Sequence, residues 1–453
     1  MIRHMIAFAP STPKLGEFNQ LRGVLSGLMH FCCEDVHFAY NLDMCFENVA
    51  GGPLKRHLYA DDEAFERDVF RCLDDYFSRH LLVPKVFVTI CSPEDAGHAA
   101  ANVDAVCWAV KDYYAAHDMG RVVTAAVNSS IYRYRFADVV HVCGHLLSEE
   151  DRQTLEADAE LKRKVFVSEG IIHNMSRTFI RQKFGQPKMR EIAAAYRNGR
   201  PNAVFALGGR VEGPEIRFTL SHAENIFRRM RALADKNYNV IVVNGPRTPN
   251  EVTDYFYEQS LAAESKIAFF NSKQVARTDE ERVPEKWRVY SGKHEEEFLR
   301  QAEKYGNVYP GVLGLENTLV VHTFDSFACC ETAASGIPTA ICREVEIDRA
   351  VRPDCYRLAD QLTAAGYAAD FADFDGETEP RDLKLKVLPS VNSLLAKKII
   401  DRLSEAPGAG ACSCPCRGGF CRGFRKCVFL LDYCYLSDIV RQKFNDFSLR
   451  TRY

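Results

Sequence analysis

Short apolar or β-branched runs alternate with longer stretches in which apolar residues recur every three to four positions. The runs Ile6–Ala9, His37–Leu42, Lys85–Cys91, Arg121–Val127, Val139–Val142 and Val165–Val167 predict strands. Phe18–Met29, Phe65–His80 and Ala99–His117 carry the helical period between or beyond them. Strands spaced by helices of this length predict βαβ units and a parallel sheet.

The pattern changes over residues 173–200, which are polar, helical and rich in Arg and Lys, and end in Arg197-Asn-Gly-Arg-Pro201. A Pro/Gly/Asn cluster stops a helix and suits a linker, so the boundary between domains is expected there. A second series follows. Ala203–Leu207, Val240–Val243, Lys266–Phe270, Thr318–His322 and Thr339–Cys342 predict strands, and Ala223–Ala234, Glu251–Leu261 and Ser326–Ser335 predict helices. Ser390–Leu403, just after Pro389, predicts an amphipathic helix. The expected fold is α/β, with two Rossmann-like doubly wound domains facing a cleft. The first domain spans 1–185, the second 200–405, and a Cys-rich basic tail 406–453.

Composition narrows the function classes. A chain of 453 residues is long enough for two α/β cores. Its net charge of −3 gives no reason to expect a nucleic-acid partner. No apolar run approaches the roughly 18–20 residues that cross a bilayer, and Met1–Pro10 does not read as a secretory signal. A cytoplasmic protein is expected, with peripheral membrane contact, or a place on the mitochondrial outer surface in a eukaryote, as refinements. Of seventeen cysteines, those inside apolar runs, such as Cys91, Cys107, Cys143 and Cys342, read as buried reduced thiols. Cys412, Cys414, Cys416, Cys421, Cys427 and Cys434 form no pair of CxxC motifs, so a zinc site there is only weakly signalled.

Candidate chemistry gathers where predicted strands end, as ligands do in open parallel sheets. Gly208-Gly209-Arg210 follows Ala203–Leu207. Two glycines let the backbone approach a phosphate and Arg210 adds charge, although the same pair also makes an ordinary tight turn. Asn244-Gly-Pro-Arg-Thr-Pro249 follows the next strand, with Arg247 where a diphosphate would lie and Thr248 or Asn250 as a helix cap. His322-Thr-Phe-Asp-Ser-Phe-Ala-Cys-Cys-Glu331 is the most specific segment. Thr323, Asp325 and Ser326 open a helix whose amides suit an anion, and Glu331 suits the two hydroxyls of a ribose. In Thr12-Pro-Lys-Leu-Gly16-Glu17-Phe-Asn19-Gln20, Glu17 is a candidate general base and Asn19 and Gln20 candidate ligand contacts, with helix capping the competing reading. His145 and His173 are the other candidate bases, each standing near a strand end.

In their order and spacing these segments resemble the mitochondrial-fission "elongated mitochondria" family, with plant members and alphaproteobacterial relatives. That family is regarded as glycosyltransferase-like, of the GT-B type. The resemblance rests on Gly16-Glu-Phe-Asn-Gln20, Gly208-Gly209, Val243-Asn-Gly-Pro-Arg-Thr-Pro249, Asn307-Val-Tyr-Pro310, and Thr323-Phe-Asp-Ser326 with Glu331 and Gly336-Ile-Pro338. Val167-Ser-Glu-Gly-Ile-Ile-His173 is a weaker match, and the tail lies outside it. The chain departs from the family pattern at Glu17, where a His is usual, at Gly245-Pro246, where one Arg is lost, and at Val308, where the family has Pro.

The resemblance implies a nucleotide-sugar donor, and a lipid-linked or envelope glycan as acceptor. It further implies an inverting, metal-independent transfer with no cofactor. In that reading the diphosphate lies against Gly208, Gly209, Arg247 and the helix start at Asp325 and Ser326, with Arg210, Thr248 and Thr323 as further donor-binding residues. Asp61-Asp62 and Asp74-Asp75 lie in solvated helical stretches and are not expected to hold a metal. The alternative is a non-catalytic GT-B-like adaptor in membrane or mitochondrial fission, which the lost His and Arg favour. The basic, aromatic segment 417–431 suits contact with a membrane surface or an unstructured extension.

Overall fold

The computed structural model describes residues 7–8, 15–31, 55–79, 83–91, 98–132, 134–208, 216–245, 247–262, 266–273, 290, 292–323 and 328–405. The expected strand His37–Leu42 and the whole tail from residue 406 lie outside them.

The chain begins with β1 (Ala7–Phe8), α1 (Leu15–Phe31), α2 (Asp62–Arg79) and β2 (Val86–Ile90). It continues through α3 (Ala99–Ala116), β3 (Val123–Val127), β4 (Val139–Cys143), α4 (Glu149–Ala157), α5 (Ala159–Lys164) and β5 (Val165–Ser168). The five strands pair in parallel in the order β1-β2-β3-β4-β5. Alternate strand residues serve opposite faces. Val86, Val88, Val123 and Ala125 pack against Leu21, Val24, Leu25 and Leu28 of α1, while Phe87 faces α2 and α3 with Phe65, Val69 and Val110. A sheet covered on both sides explains why its strands read as continuous apolar runs.

Two short helices follow, α6 (Arg177–Phe184) and α7 (Arg190–Tyr196). The second series starts with β6 (Asn202–Leu207), β7 (Ile216–Arg217), α8 (Leu220–Asp235), β8 (Asn239–Asn244), α9 (Asn250–Leu261) and β9 (Ile267–Phe270). Then come α10 (Glu295–Tyr305), α11 (Val308–Val312), β10 (Thr318–Thr323), α12 (Cys329–Ala334) and β11 (Thr339–Cys342). The chain closes with β12 (Glu346–Ile347), α13 (Pro353–Ala364), β13 (Ala369–Asp370) and α14 (Val391–Ser404). Six of these strands form a parallel sheet in the order β13-β11-β10-β6-β8-β9, and β7 pairs antiparallel with β12. Counted within the sheet, the order is 3-2-1-4-5-6, the doubly wound arrangement whose direction reverses between its first and fourth strands.

Two segments sit elsewhere than their place in the chain suggests. Residues 173–200 are not a bare linker. Ile180, Met189 and Ile192 pack with Val204, Ile241 and Val320 on one face of the second sheet. In return α14, grouped by sequence with the second domain, packs on the first: Leu395, Ala396 and Ile399 join α1 against the first sheet. Where α1 and α14 meet, α1 carries Gly23 and Gly27, one turn apart. An added Cβ at Gly23 would lie 2.5 Å from the His173 carbonyl oxygen, and one at Gly27 would strike that of Asn392. The crossing strands of chain are tied by Asn392, whose Nδ2 donates to the His173 carbonyl at 2.7 Å. The helical period reported that these helices are amphipathic. It carried no information on which sheet their apolar faces meet.

Candidate functional site

The reversal in the second sheet separates the chain connections that leave β6 and β10, and a crevice at the carboxyl ends of these strands is where such sheets take ligands. Three loops meet there. Thr323 closes β10, and its Oγ1 accepts the Gly208 amide at 2.6 Å. Thr248 is buried. Its Oγ1 accepts the Gly245 amide at 3.0 Å and lies 3.0 Å from the carbonyl oxygens of both Leu207 and Gly208. Gly245 is required by this close approach, since a Cβ would come within 2.9 Å of the Leu207 oxygen. Two threonine hydroxyls therefore fix the ends of β6, β8 and β10 relative to one another.

This changes two expectations. The Gly208 amide is used inside the protein, so it does not point at a phosphate. Thr248 does not cap α9, whose preceding residue is Pro249 with no side-chain cap. The hydroxyl instead ties two loops, because the backbone groups of the neighbouring strand end lie within its reach. Arg247 is exposed at the mouth of this junction. Gly209, Arg210, Asp325 and Ser326 lie outside the described residues.

The helix expected over Ser326–Ser335 is described only as Cys329–Ala334, preceded by Ala328. Glu331 thus stands in its first turn, two residues after the helix begins. Burial pushes its carboxyl up to about 7, well above the ordinary glutamate range. The helix is held by its own core: Thr332 Oγ1 lies 3.0 Å from His322 Nε2, and the Thr339 hydroxyl donates to Thr332 Oγ1 at 2.8 Å. Gly336 turns the chain out of α12 with φ +65°, a conformation open to glycine.

Beside the junction lies a buried polar group that motif reading passed over. Asn244 Nδ2 donates to Asn271 Oδ1 at 2.9 Å, and Asn244 Oδ1 accepts the Ser272 amide at 2.7 Å. Asn271 Nδ2 has no hydrogen-bond partner among the described residues. Lys273 is buried, donates to Asn250 Oδ1 at 2.9 Å, and is lowered by burial to about 8. The signal for these residues was three polar positions directly after a strand, which are as common in plain turns. Tyr309 was also passed over as a site residue. Its buried hydroxyl has no hydrogen-bond partner among the described residues, and burial followed by the charge of Glu331 raises its pKa well above the usual value.

On the first domain, Gly16 and Glu17 belong to the first turn of α1, not to a loop ahead of it, and Asn19 and Gln20 lie in the helix as expected. The helical period extends back to Leu15, so the glycine is taken into the first turn. His145 follows β4 and is buried at the contact with α13, where Arg357 Nε donates to its carbonyl at 2.7 Å. His173 is buried at the crossing of the chain, and its Nδ1 accepts the Met175 amide at 3.1 Å. Burial lowers both imidazoles to about 4, so both are neutral at neutral pH. The structure brings Gly208, Thr248 and Thr323 into direct contact and places Glu331 on the helix that follows β10.

Cys91, Cys107, Cys143 and Cys342 are buried thiols in no disulfide, as their apolar settings predict. Among the described residues no three His, Cys, Asp or Glu side chains gather as a metal-ligand set, and no helix is long and apolar enough to cross a membrane.

No family model matches the sequence, and no curated protein matches it. Among solved structures it is similar to MurG of Acinetobacter baumannii, at 10% identity over 89% of this chain and 96% of that one, with a TM-score of 0.36. It is also similar to the spinosyn forosaminyltransferase SpnP, at 11% identity over 89% and 96%, with a TM-score of 0.34. The Escherichia coli heptosyltransferase WaaC with ADP is 9% identical over 75% and 87%, with a TM-score of 0.30. Likeness at this level is distant. The fold itself is two parallel α/β sheets with helices on both faces of each, and the chemistry has to be sought in the site itself.

Proposed function

We propose that this chain is a glycosyltransferase that binds a nucleotide-diphosphate sugar in its second domain, at the reversal between β6 and β10. The observation that carries the reading is the junction of Gly208, Thr248 and Thr323 at that reversal, with the desolvated carboxyl of Glu331 on the helix just beyond. A rigid crevice at the carboxyl ends of parallel strands suits a diphosphate, and a carboxylate in a dry setting suits the paired hydroxyls of a ribose.

In this reading Arg247 faces the diphosphate from the crevice mouth, and the motifs also assign to the donor Gly209, Arg210, Asp325 and Ser326, which lie outside the described residues. An acceptor hydroxyl attacks the anomeric carbon, the glycosidic bond to the diphosphate breaks, and the leaving oxygen takes the negative charge. Cationic side chains and amides stabilise that charge without a metal. Glu17 is the first candidate for the base that takes the acceptor proton, because its helix begins at the edge of the first sheet. The transfer then inverts the anomeric centre. A lipid-linked or envelope glycan as acceptor, and membership of the "elongated mitochondria" family, belong to the same proposal and rest on the motif order.

The burial of His145 and His173 favours a second reading. Their low basicity suits a chain that binds a nucleotide sugar without turning it over, as a GT-B-like adaptor. One calorimetric series separates the cases. UDP-, GDP-, ADP- and CMP-sugars are titrated into the wild type and into Glu331→Ala. Binding of at least one donor, weakened about tenfold or more in the variant, is expected. Absence of binding to every donor overturns both readings. Binding without hydrolysis or transfer favours the adaptor.

A further inference from the structure

The helices α6 and α7 carry a feature that the proposed donor site does not use. Between Arg177 and Arg200 the chain has seven Lys or Arg and a single acid, Glu191. That acid is engaged elsewhere: Lys304 Nζ lies 2.7 Å from its carboxylate, and the Tyr305 hydroxyl approaches it. Arg177 is also engaged, donating from Nε to the Ser335 carbonyl at 2.6 Å. Among the described residues, Arg181, Lys188, Arg190, Arg197 and Arg200 make no side-chain ion pair or hydrogen bond, and all five are exposed.

Two of these cations flank a cavity of ≈ 350 Å³ lined by Phe184, Gly185, Arg190, Ala193, Ala194 and Arg197. No carboxylate lines it. Its walls are anchored from below, because Met189 and Ile192 are buried against the second sheet. The Arg197 guanidinium lies over the Phe184 ring, 4.6 Å from its centroid. Stacking on a ring holds the planar fork while leaving its edge donors free. The depression thus combines small and aromatic walls, one stacked guanidinium and a second arginine, with no carboxylate among its lining residues.

We propose that this cavity binds a phosphate-bearing ligand, with Arg190 and Arg197 as paired donors to its oxygens and Phe184 as an apolar wall. Guanidinium forks match phosphate geometry, and two of them on one group bind more tightly than scattered charges do. The phosphate belongs either to a soluble molecule or to a lipid headgroup. The inference does not rest on the donor-site reading, since none of the cavity residues belongs to the crevice at β6 and β10.

The test uses the full chain and two probes, inorganic pyrophosphate by calorimetry and vesicles of phosphatidylcholine with or without phosphatidic acid by co-sedimentation. Arg190→Gln with Arg197→Gln is the main variant, and Lys188→Ala is a nearby exposed control. Both substitutions in the main variant are at exposed positions, and its fold is checked by its melting temperature. The expected result is binding of at least one probe, weakened about tenfold or more in the double variant and less than about twofold in the control. Pyrophosphate alone identifies a soluble ligand, and the acidic vesicles alone identify a headgroup. Three results overturn the proposal: neither probe binds, the double variant binds like the wild type, or Lys188→Ala loses as much as the double variant. Retained donor-sugar affinity in the double variant shows that the two sites are separate.

Discussion

The carboxyl edges of the two sheets are built on opposite plans. In the first sheet the strands run in sequence order, and the polar groups near their ends turn inward onto one another. His141 Nε2 lies 2.8 Å from Ser168 Oγ, and its Nδ1 accepts the Asn128 amide at 3.2 Å. Cys91, Ser129 and Tyr134 form a similar closed group. In the second sheet the order reverses, and hydroxyls from separate loops tie the strand ends to one another. Polar residues at strand ends thus serve two purposes. In the first sheet they satisfy buried neighbours, and in the second they join the ends of separate strands.

The largest effect expected on this contrast is structural. Gly27→Val forces a side chain against the Asn392 carbonyl, where α14 returns to the first sheet, and should cost about 3 kcal/mol. Urea unfolding checks it, and an unchanged midpoint would mean that the first domain does not depend on this close contact. Next comes Thr248→Val, which keeps the volume but leaves the Gly245 amide without its acceptor. A loss of about 1–3 kcal/mol is expected, with donor affinity falling as the loops part. If stability and affinity are both untouched, the idea of a braced edge fails.

Glu331→Gln should act more gently and with a clear pH signature. The folded carboxyl titrates at about 7, above its ordinary value of 4.5, so the folded state favours the proton. The stability this gives is fully present below pH 4.5 and is lost as pH rises through 7. The variant should therefore melt higher than the wild type at pH 8 and show a flatter profile between pH 5 and 8. Identical profiles would place the carboxyl in water. The smallest effect is expected from Lys273→Met. Its ammonium titrates at about 8 in the folded chain against the ordinary 10.5. The unfolded chain then holds the proton longer, so wild-type stability rises from pH 8 to 10, and the variant should not show that rise. A rise of equal size in the variant would show that Lys273 is not the group responsible.

Much of the fold was legible in the sequence. Every expected strand within the described residues is a strand, because both sheets are covered on two faces and buried parallel strands read as plain apolar runs. Helix bodies were equally clear, and their ends less so. Leu15 and Gly16 were read as loop and are helix, while the helix after β10 is described only from Cys329. Of the candidate site, Thr248 and Thr323 were found by position, but with other roles in view. A hydroxyl's partner depends on which loop lies opposite, and a motif cannot contain that. His145 and His173 were visible as residues near strand ends. Their desolvation comes from α13 and from the crossing at Asn392, more than 200 positions away in the chain.

By itself the sequence determined the alternation of strands and helices and the two series of strands that build separate sheets. These depend on local periodicity and on where apolar runs stop. Only the tertiary structure decided that α6 and α7 belong to the second sheet and α14 to the first. It also decided that the Gly208 amide is used internally, and that burial pushes the Glu331 carboxyl up. Such facts come from packing between distant segments. The free energy of a buried carboxyl, or of an amide that needs an acceptor, is set by the neighbours the fold brings to it.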